Sequence, residues 1–200
     1  CSNEVPSKGI TDQQSSGRCW LFTGLNVMRA QMIKEHNLGE FQFSQSYCFF
    51  YDQLEKANLF LQAVIDNANK PMDDKLVEWL FKNPLSDGGT FCGVMDVVTK
   101  YGLVPADVMP ESYNANNTSR MASILSLKLR EYGLTLRKAA AKGEKAAALQ
   151  KRKTEMLATV YRILSICLGE PVQQFTWTMK GADGKPVGTI EDGDSVVFFN

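Results

Sequence analysis

The sequence predicts an α+β fold in which a helical region precedes short β-strands. Apolar residues recur at helical spacing over residues 19–35 and along two long stretches within residues 118–168, where Gly143 is the expected break. After these helices the pattern changes to short β-like segments at residues 175–178 and 195–199, separated by a glycine-rich turn.

Capping and breaking residues define further helices between these regions. Ser44 is the expected N-cap of a second helix, and Asp73 or Asp74 caps a third that ends before Pro84. A glycine-containing loop follows, and then a short helix that is expected to end at Gly102. Pro105 and Pro110 predict that the next segment is extended.

Composition excludes several classes of protein. The chain has 200 residues, 44% of them hydrophobic and 22% charged, which is typical of a globular protein. Its formal net charge is zero, so no global charge points to nucleic acid or an anionic membrane. No apolar run is long enough to cross a bilayer, and we expect no membrane partner.

The cysteines favour a reducing, cytoplasmic compartment. Five cysteines are spread along the chain without a C-x-x-C pair, which argues against a disulfide framework and a zinc site: Cys1, Cys19, Cys48, Cys92 and Cys167. The single histidine, His36, excludes a histidine-rich metal cluster, so we expect no metal or other cofactor. The chain opens on Cys1 rather than Met, which leaves the native N-terminus and any targeting segment open.

Cys19 is the first candidate for chemistry. It lies where a glycine-containing loop gives way to the first helix, and the free N–H groups of a helix start favour a thiolate. Gln13, six residues earlier, can fold back to face the Cys19 backbone N–H and form a two-donor oxyanion hole, with Gly17 allowing the tight path. Trp20 is expected to form a packing wall. A buried structural cysteine is the alternative for such a residue taken alone.

Several segments, taken together and in this order, resemble papain-like cysteine peptidases, most closely the bleomycin hydrolase and aminopeptidase C branch. They cover about residues 10–178: Ser-Gly-Arg-Cys-Trp (16–20), Phe-Ser-Gln-Ser-Tyr (43–47), Asn-Pro (83–84), Asp-Gly-Gly (87–89), Lys-Tyr-Gly (100–102), Pro-Glu-Ser-Tyr (110–113), Ile-Cys-Leu-Gly (166–169) and Phe-Thr-Trp (175–177). The resemblance implies a thiol aminopeptidase that acts on peptides and assembles as a homohexamer.

The same resemblance assigns roles to individual residues. It makes Cys19 the nucleophile, Gln13 the oxyanion donor, and Gly88 and Gly89 the pair whose backbone binds the substrate peptide, next to Trp20. An ordinary turn is the alternative for the two glycines taken alone.

The resemblance also implies a division of the chain. Residues 1–117 would form the papain-like helical lobe with the nucleophile helix, residues 118–172 a helical insertion, and residues 173–200 the start of a β-rich lobe. An internal segment is expected to be missing near residues 189–191, because the residues after it resemble a later strand of the family.

The catalytic base is not found among these 200 residues. His36 follows Cys19 by seventeen positions on one expected helix, so the two residues are on the order of 25 Å apart. The resemblance places the catalytic His and Asn in a C-terminal β-rich lobe beyond residue 200. We therefore expect this chain alone to be inactive.

Two other functions stay open at this point. The missing base favours a non-catalytic helical interaction module on the same scaffold. Residues 137–153 hold seven basic residues and one acid, Glu144, which permits nucleic-acid binding, although a solvated helical face explains the pattern better.

Overall fold

The computed structural model describes residues 8–194, and the side chains up to residue 190. Seven helices and two strands follow one another in this part of the chain: α1 (Cys19–His36), α2 (Gln45–Asp66), α3 (Lys75–Lys82), α4 (Phe91–Tyr101), α5 (Tyr113–Asn116), α6 (Ser119–Ala141), α7 (Ala146–Leu168), β1 (Gln174–Lys180) and β2 (Pro186–Asp194). The α+β expectation is confirmed.

Helices α2 and α3 begin at the capping residues that the sequence predicted. The hydroxyl of Ser44 accepts from the Tyr47 amide at the start of α2. Asp74, rather than Asp73, caps α3. The short helix α5 was not expected, because Pro110 favoured an extended segment; Ser112 caps it.

Helix α2 lies at the centre of the helical region and packs against α4, α6 and α7. Its buried face carries aromatic and aliphatic side chains, including Phe49, Phe50 and Leu61, and these share one apolar core with Leu125 of α6 and Leu164 of α7. The α6–α7 pair breaks at Gly143, which has a φ of 87°, as the sequence predicted. The division into a lobe and an insertion at residue 118 stays a prediction.

The strands form an antiparallel hairpin in which Trp177 pairs with Ile190. The expected first strand is confirmed, and its partner is β2. The expected second strand at residues 195–199 lies outside the described residues. The missing segment near residues 189–191 stays a prediction, and this region is part of β2.

The hairpin contacts the helical region through the loop after α1. Leu38 forms a β-bridge with Gly181, and the rings of Phe41 and Trp177 lie 5.5 Å apart. Within residues 8–194, no helix has both the length and the apolar character needed to cross a membrane.

Candidate active site

Cys19 is the first residue of α1, and its side chain is exposed. The Arg18 carbonyl accepts from the amides of Leu21 and Phe22, both at 3.0 Å, and no side chain caps this end of the helix. The N–H groups of Cys19 and Trp20 are therefore left without an acceptor among the described residues. The helix start thus offers a positive field and a free backbone donor beside the thiol, as the sequence predicted.

The other cysteine side chains described have different environments. Cys48 is fully buried, and burial, followed by the nearby charge of Asp52, raises its pKa to about 12. Burial also raises the pKa of Cys167. Cys92 is exposed near the start of α4 and is the natural reference for the reactivity of Cys19.

The loop before α1 folds back and orients the Gln13 side chain. Gln14 turns the chain with a φ of 52°, and the Asp12 carboxylate accepts from its amide at 2.8 Å. Gln13 Nε2 donates to the Ser16 carbonyl at 2.6 Å, and the Ser16 hydroxyl donates to the Gln13 carbonyl at 2.6 Å. One carboxamide N–H is thus fixed, and the other is left for a ligand. The oxyanion role stays a prediction.

Gly17 is required by a close approach that the sequence did not indicate. Its amide donates to Asp87 Oδ2 at 2.7 Å, and a Cβ at this position would lie 2.8 Å from Asp87 Cγ. The glycine therefore allows a carboxylate seventy residues away to hold the nucleophile loop.

Asp87 joins the loop before α1 to the glycine pair. Burial alone would raise its pKa, but hydrogen bonds from the Thr118 hydroxyl and the Gly17 amide outweigh burial and hold the pKa below its usual value. Its backbone carbonyl accepts from Trp20 Nε1 at 2.8 Å. A carboxylate kept ionised thus ties both sides of the site together.

Trp20 is buried and packs against Gly89 of the glycine pair. An added Cβ on Gly89 would lie 2.6 Å from two atoms of the indole, and Lys56 Nζ lies 5.2 Å from the ring centroid. The packing role expected for Trp20 is confirmed, while direct contact with a substrate stays a prediction.

Two side chains of α2 that the sequence analysis missed hold the glycine loop. Lys56 Nζ donates to the carbonyls of Gly88, at 2.6 Å, and Ser86, at 3.0 Å, and Gln53 Nε2 also donates to Ser86. Lys56 pairs with the largely buried Asp52, whose pKa is raised because burial outweighs the attraction of Lys56. The feature of the sequence that could have indicated them is the set of three polar side chains at positions 52, 53 and 56 of an otherwise apolar helix face.

The two glycines differ in the space around them. A Cβ on Gly88 would meet only the Ser86 hydroxyl, at 3.4 Å, whereas a Cβ on Gly89 would overlap Trp20. Packing against Trp20 therefore explains Gly89 but packing does not explain Gly88, and binding of a substrate backbone at Gly88 stays a prediction.

This difference predicts opposite outcomes for two alanine variants of the full-length protein. If Gly88 binds a peptide backbone, as the resemblance implies, Gly88→Ala should leave thermal unfolding unchanged and lower kcat/KM for peptides by roughly 5- to 150-fold through KM, the equivalent of about 1–3 kcal/mol. Gly89→Ala should lower the unfolding temperature, because the indole must move. An unchanged KM in Gly88→Ala would show that no substrate backbone passes this residue.

The remaining sequence candidates lie away from this centre. His36 is the last residue of α1, at the opposite end of the helix from Cys19, as expected. Among the described residues, no group of three or more His, Cys, Asp or Glu side chains could hold a metal ion.

The basic segment at residues 137–153 uses several of its charges within the chain. Arg137 donates to the carbonyls of Asn67 and Lys70, Arg152 pairs with Glu144 at 2.7 Å, and Lys153 donates to a side-chain oxygen of α2. These contacts favour a structural role for part of the segment. Nucleic-acid binding stays an untested alternative.

Comparison with known proteins identifies the family. Residues 1–199 match the Peptidase C1-like family. The chain belongs to this family. It is 42% identical to rat (Rattus norvegicus) bleomycin hydrolase over 183 residues, which are 90% of this chain and 40% of that protein. It is also 42% identical to aminopeptidase G of Lactobacillus delbrueckii subsp. lactis over 199 residues, which are 100% of this chain and 45% of that protein.

A solved structure confirms the papain-like fold. The crystal structure of PepW from Lactobacillus rhamnosis superimposes with a TM-score of 0.94 at 35% identity, covering 98% of this chain and 44% of that chain. The resemblance to the bleomycin hydrolase and aminopeptidase C branch is confirmed. The chain spans about two fifths of the length of rat bleomycin hydrolase and of aminopeptidase C from Lactobacillus delbrueckii subsp. lactis.

Proposed function

We propose that the full-length protein carrying this chain is a cysteine aminopeptidase that cleaves N-terminal peptide bonds through an acyl-thioester at Cys19. The observation that carries the proposal is the exposed Cys19 at an uncapped helix start, preceded by a loop that fixes the Gln13 carboxamide. Membership of a peptidase family, with relatives named bleomycin hydrolase and aminopeptidases C and G, supports it.

The residues of this chain supply the first step of the proposed reaction, which forms the tetrahedral intermediate. The Cys19 thiolate attacks the scissile carbonyl carbon, and the negative charge that develops on the carbonyl oxygen is received by the Cys19 backbone N–H and the second N–H of Gln13. The substrate backbone passes Gly88. Lys56 holds the loop of Gly88 in place by donating to the Gly88 carbonyl. The Trp20 ring packs behind this loop, against Gly89.

To complete the reaction, an acid must protonate the leaving amine, and a water molecule must then hydrolyse the acyl-thioester. No histidine among the described residues lies beside Cys19 to serve these steps. His36 is at the wrong end of α1. We place the proton donor, a histidine oriented by an asparagine, in the part of the relatives' length that this chain does not span.

The test uses the full-length protein with an aminoacyl-coumarin and its N-acetylated form. We expect the free-amine substrate to be hydrolysed and the acetylated one to be spared. Iodoacetamide should abolish hydrolysis in step with modification of Cys19, because the other exposed cysteine described, Cys92 at the start of α4, has no role in the proposed reaction. A Cys92→Ser variant should retain activity.

Two outcomes would contradict the proposal. Hydrolysis that persists after complete alkylation of Cys19 would exclude it as the nucleophile. Absence of hydrolysis in a folded full-length protein would instead favour the non-catalytic interaction module.

Assembly as a homohexamer and a cytoplasmic location belong to the same proposal. Ile124, Leu127 and Leu134 of α6 are exposed at positions that share one side of the helix, and an assembly would remove such apolar surface from water. The described cysteines are all free thiols, which suits a reducing compartment. Light scattering of the full-length protein would measure the assembly.

A further inference from the structure

The residue before the nucleophile carries a wholly buried charge. The Arg18 side chain is 0% exposed, and its two terminal nitrogens donate to the Glu111 carboxylate at 3.1 and 2.7 Å. The Ser46 hydroxyl donates to the same carboxylate at 2.8 Å, and the guanidinium lies 5.0 Å from the Phe22 ring centroid. A buried ion pair of this kind gives little net stability, because desolvation offsets the attraction.

The third donor of the guanidinium reaches the loop that carries Gln13. Arg18 Nε donates to the Ser16 hydroxyl at 2.9 Å, and that hydroxyl donates its only proton to the Gln13 carbonyl. The Gln13 carboxamide in turn donates to the Ser16 carbonyl. The Ser16 hydroxyl therefore accepts one hydrogen bond, from Arg18, and donates one, to Gln13. These two partners fix its orientation.

The backbone of the same residue begins the nucleophile helix. The Arg18 carbonyl is the first acceptor of α1, directly before Cys19. Arg18 thus connects Glu111, from a loop 93 residues away, to the Gln13 loop through its side chain and to the start of the Cys19 helix through its backbone.

We propose that Arg18, held by Glu111, is a positioning residue that fixes the Gln13 carboxamide relative to the Cys19 backbone N–H through the Ser16 hydroxyl. This inference rests on the proposed roles of Cys19 and Gln13. Its physical basis is that oxyanion donors are effective only when held in place before the charge develops. The planar guanidinium supplies three donor directions in one plane, which the ammonium of a lysine cannot do.

A double-mutant cycle in the full-length protein tests the connection. Ser16→Ala should lower kcat for an aminoacyl-coumarin roughly 3- to 10-fold with KM unchanged, the effect of one lost positioning hydrogen bond. In a Gln13→Ala background, the same Ser16→Ala change should have no further effect, because the donor that it positions is gone. Ser123→Ala is the control, since Ser123 is an exposed serine whose hydroxyl also donates to a backbone carbonyl, at 2.9 Å.

The outcomes separate this inference from the proposed function. If Gln13→Ala lowers kcat but Ser16→Ala lowers it equally in both backgrounds, or not at all, the positioning role is wrong while the function stands. If Gln13→Ala leaves kcat unchanged, both proposals fail at Gln13.

Arg18→Lys provides a second measurement. It keeps the positive charge beside Glu111 but cannot reach the carboxylate and the Ser16 hydroxyl together, so a folded variant should show the same fall in kcat as Ser16→Ala. Full kcat in a folded Arg18→Lys protein would contradict the inference. If thermal unfolding shows that this variant does not fold, the Ser16 cycle decides alone.

Discussion

Residues 1–200 on their own are expected to be alkylated at Cys19 but to release no product from an aminoacyl-coumarin. Alkylation needs only a thiol that the reagent can reach, and Cys19 is exposed at the start of α1. Turnover also needs a proton for the leaving amine. His36 is on the order of 25 Å away along α1, and Arg18 is buried against Glu111 and does not give up its proton.

The measurement compares this chain with the full-length protein at equal concentrations of reduced thiol. Mass spectrometry after brief iodoacetamide treatment should find Cys19 labelled before Cys92, Cys48 and Cys167. Activity in the short chain that is lost in Cys19→Ser and survives His36→Ala would show that another residue, or a second copy of the chain, supplies the base.

Local rules predicted the helices because the interactions that define them lie within a few residues. The periodic apolar residues of α1, the Ser44 cap and the Gly143 break each follow from neighbours in sequence. Helix α5 was not predicted because its four residues are too few to show a helical periodicity, and because the preceding proline favoured an extended chain. Strand β2 was not predicted because it has no regular alternation of apolar and polar residues. The second strand was instead predicted at the more apolar residues 195–199.

The site was predictable only where it is local. Gln13 and Cys19 belong to one short loop and a helix start, so their type and spacing were enough to suggest the chemistry proposed for them. The residues that hold them come from far along the chain: Asp87 on the Gly17 amide, Lys56 on the Gly88 carbonyl, and Glu111 on Arg18. No spacing in the sequence encodes such pairs, because the fold alone brings them together.

Gly17 matters for a different reason from the one that the sequence suggested. The sequence suggested a glycine for a tight turn, but the unusual backbone angle lies at Gln14, and Gly17 is needed for the approach of Asp87. The requirement concerns space rather than backbone conformation.

Gln13→Ala in the full-length protein is expected to lower kcat by about 10²–10³ with little change in KM. Its free N–H would meet the oxygen only when that atom becomes an oxyanion, so the interaction stabilises the transition state and not the bound substrate. Gln31→Ala is the matched control, because Gln31 is an exposed glutamine on α1 whose side chain bonds only Glu35 within the described residues.

Alkylation separates this effect from damage to the nucleophile. The reaction of Cys19 with iodoacetamide builds no oxyanion, so its rate should be the same in Gln13→Ala as in the unaltered protein, even though the variant also loses the bond to the Ser16 carbonyl. A parallel fall in alkylation rate and kcat would mean that the loop had moved the thiol. An unchanged kcat would remove Gln13 from the site, because a lost oxyanion donor cannot be silent in the step that forms the acyl-enzyme.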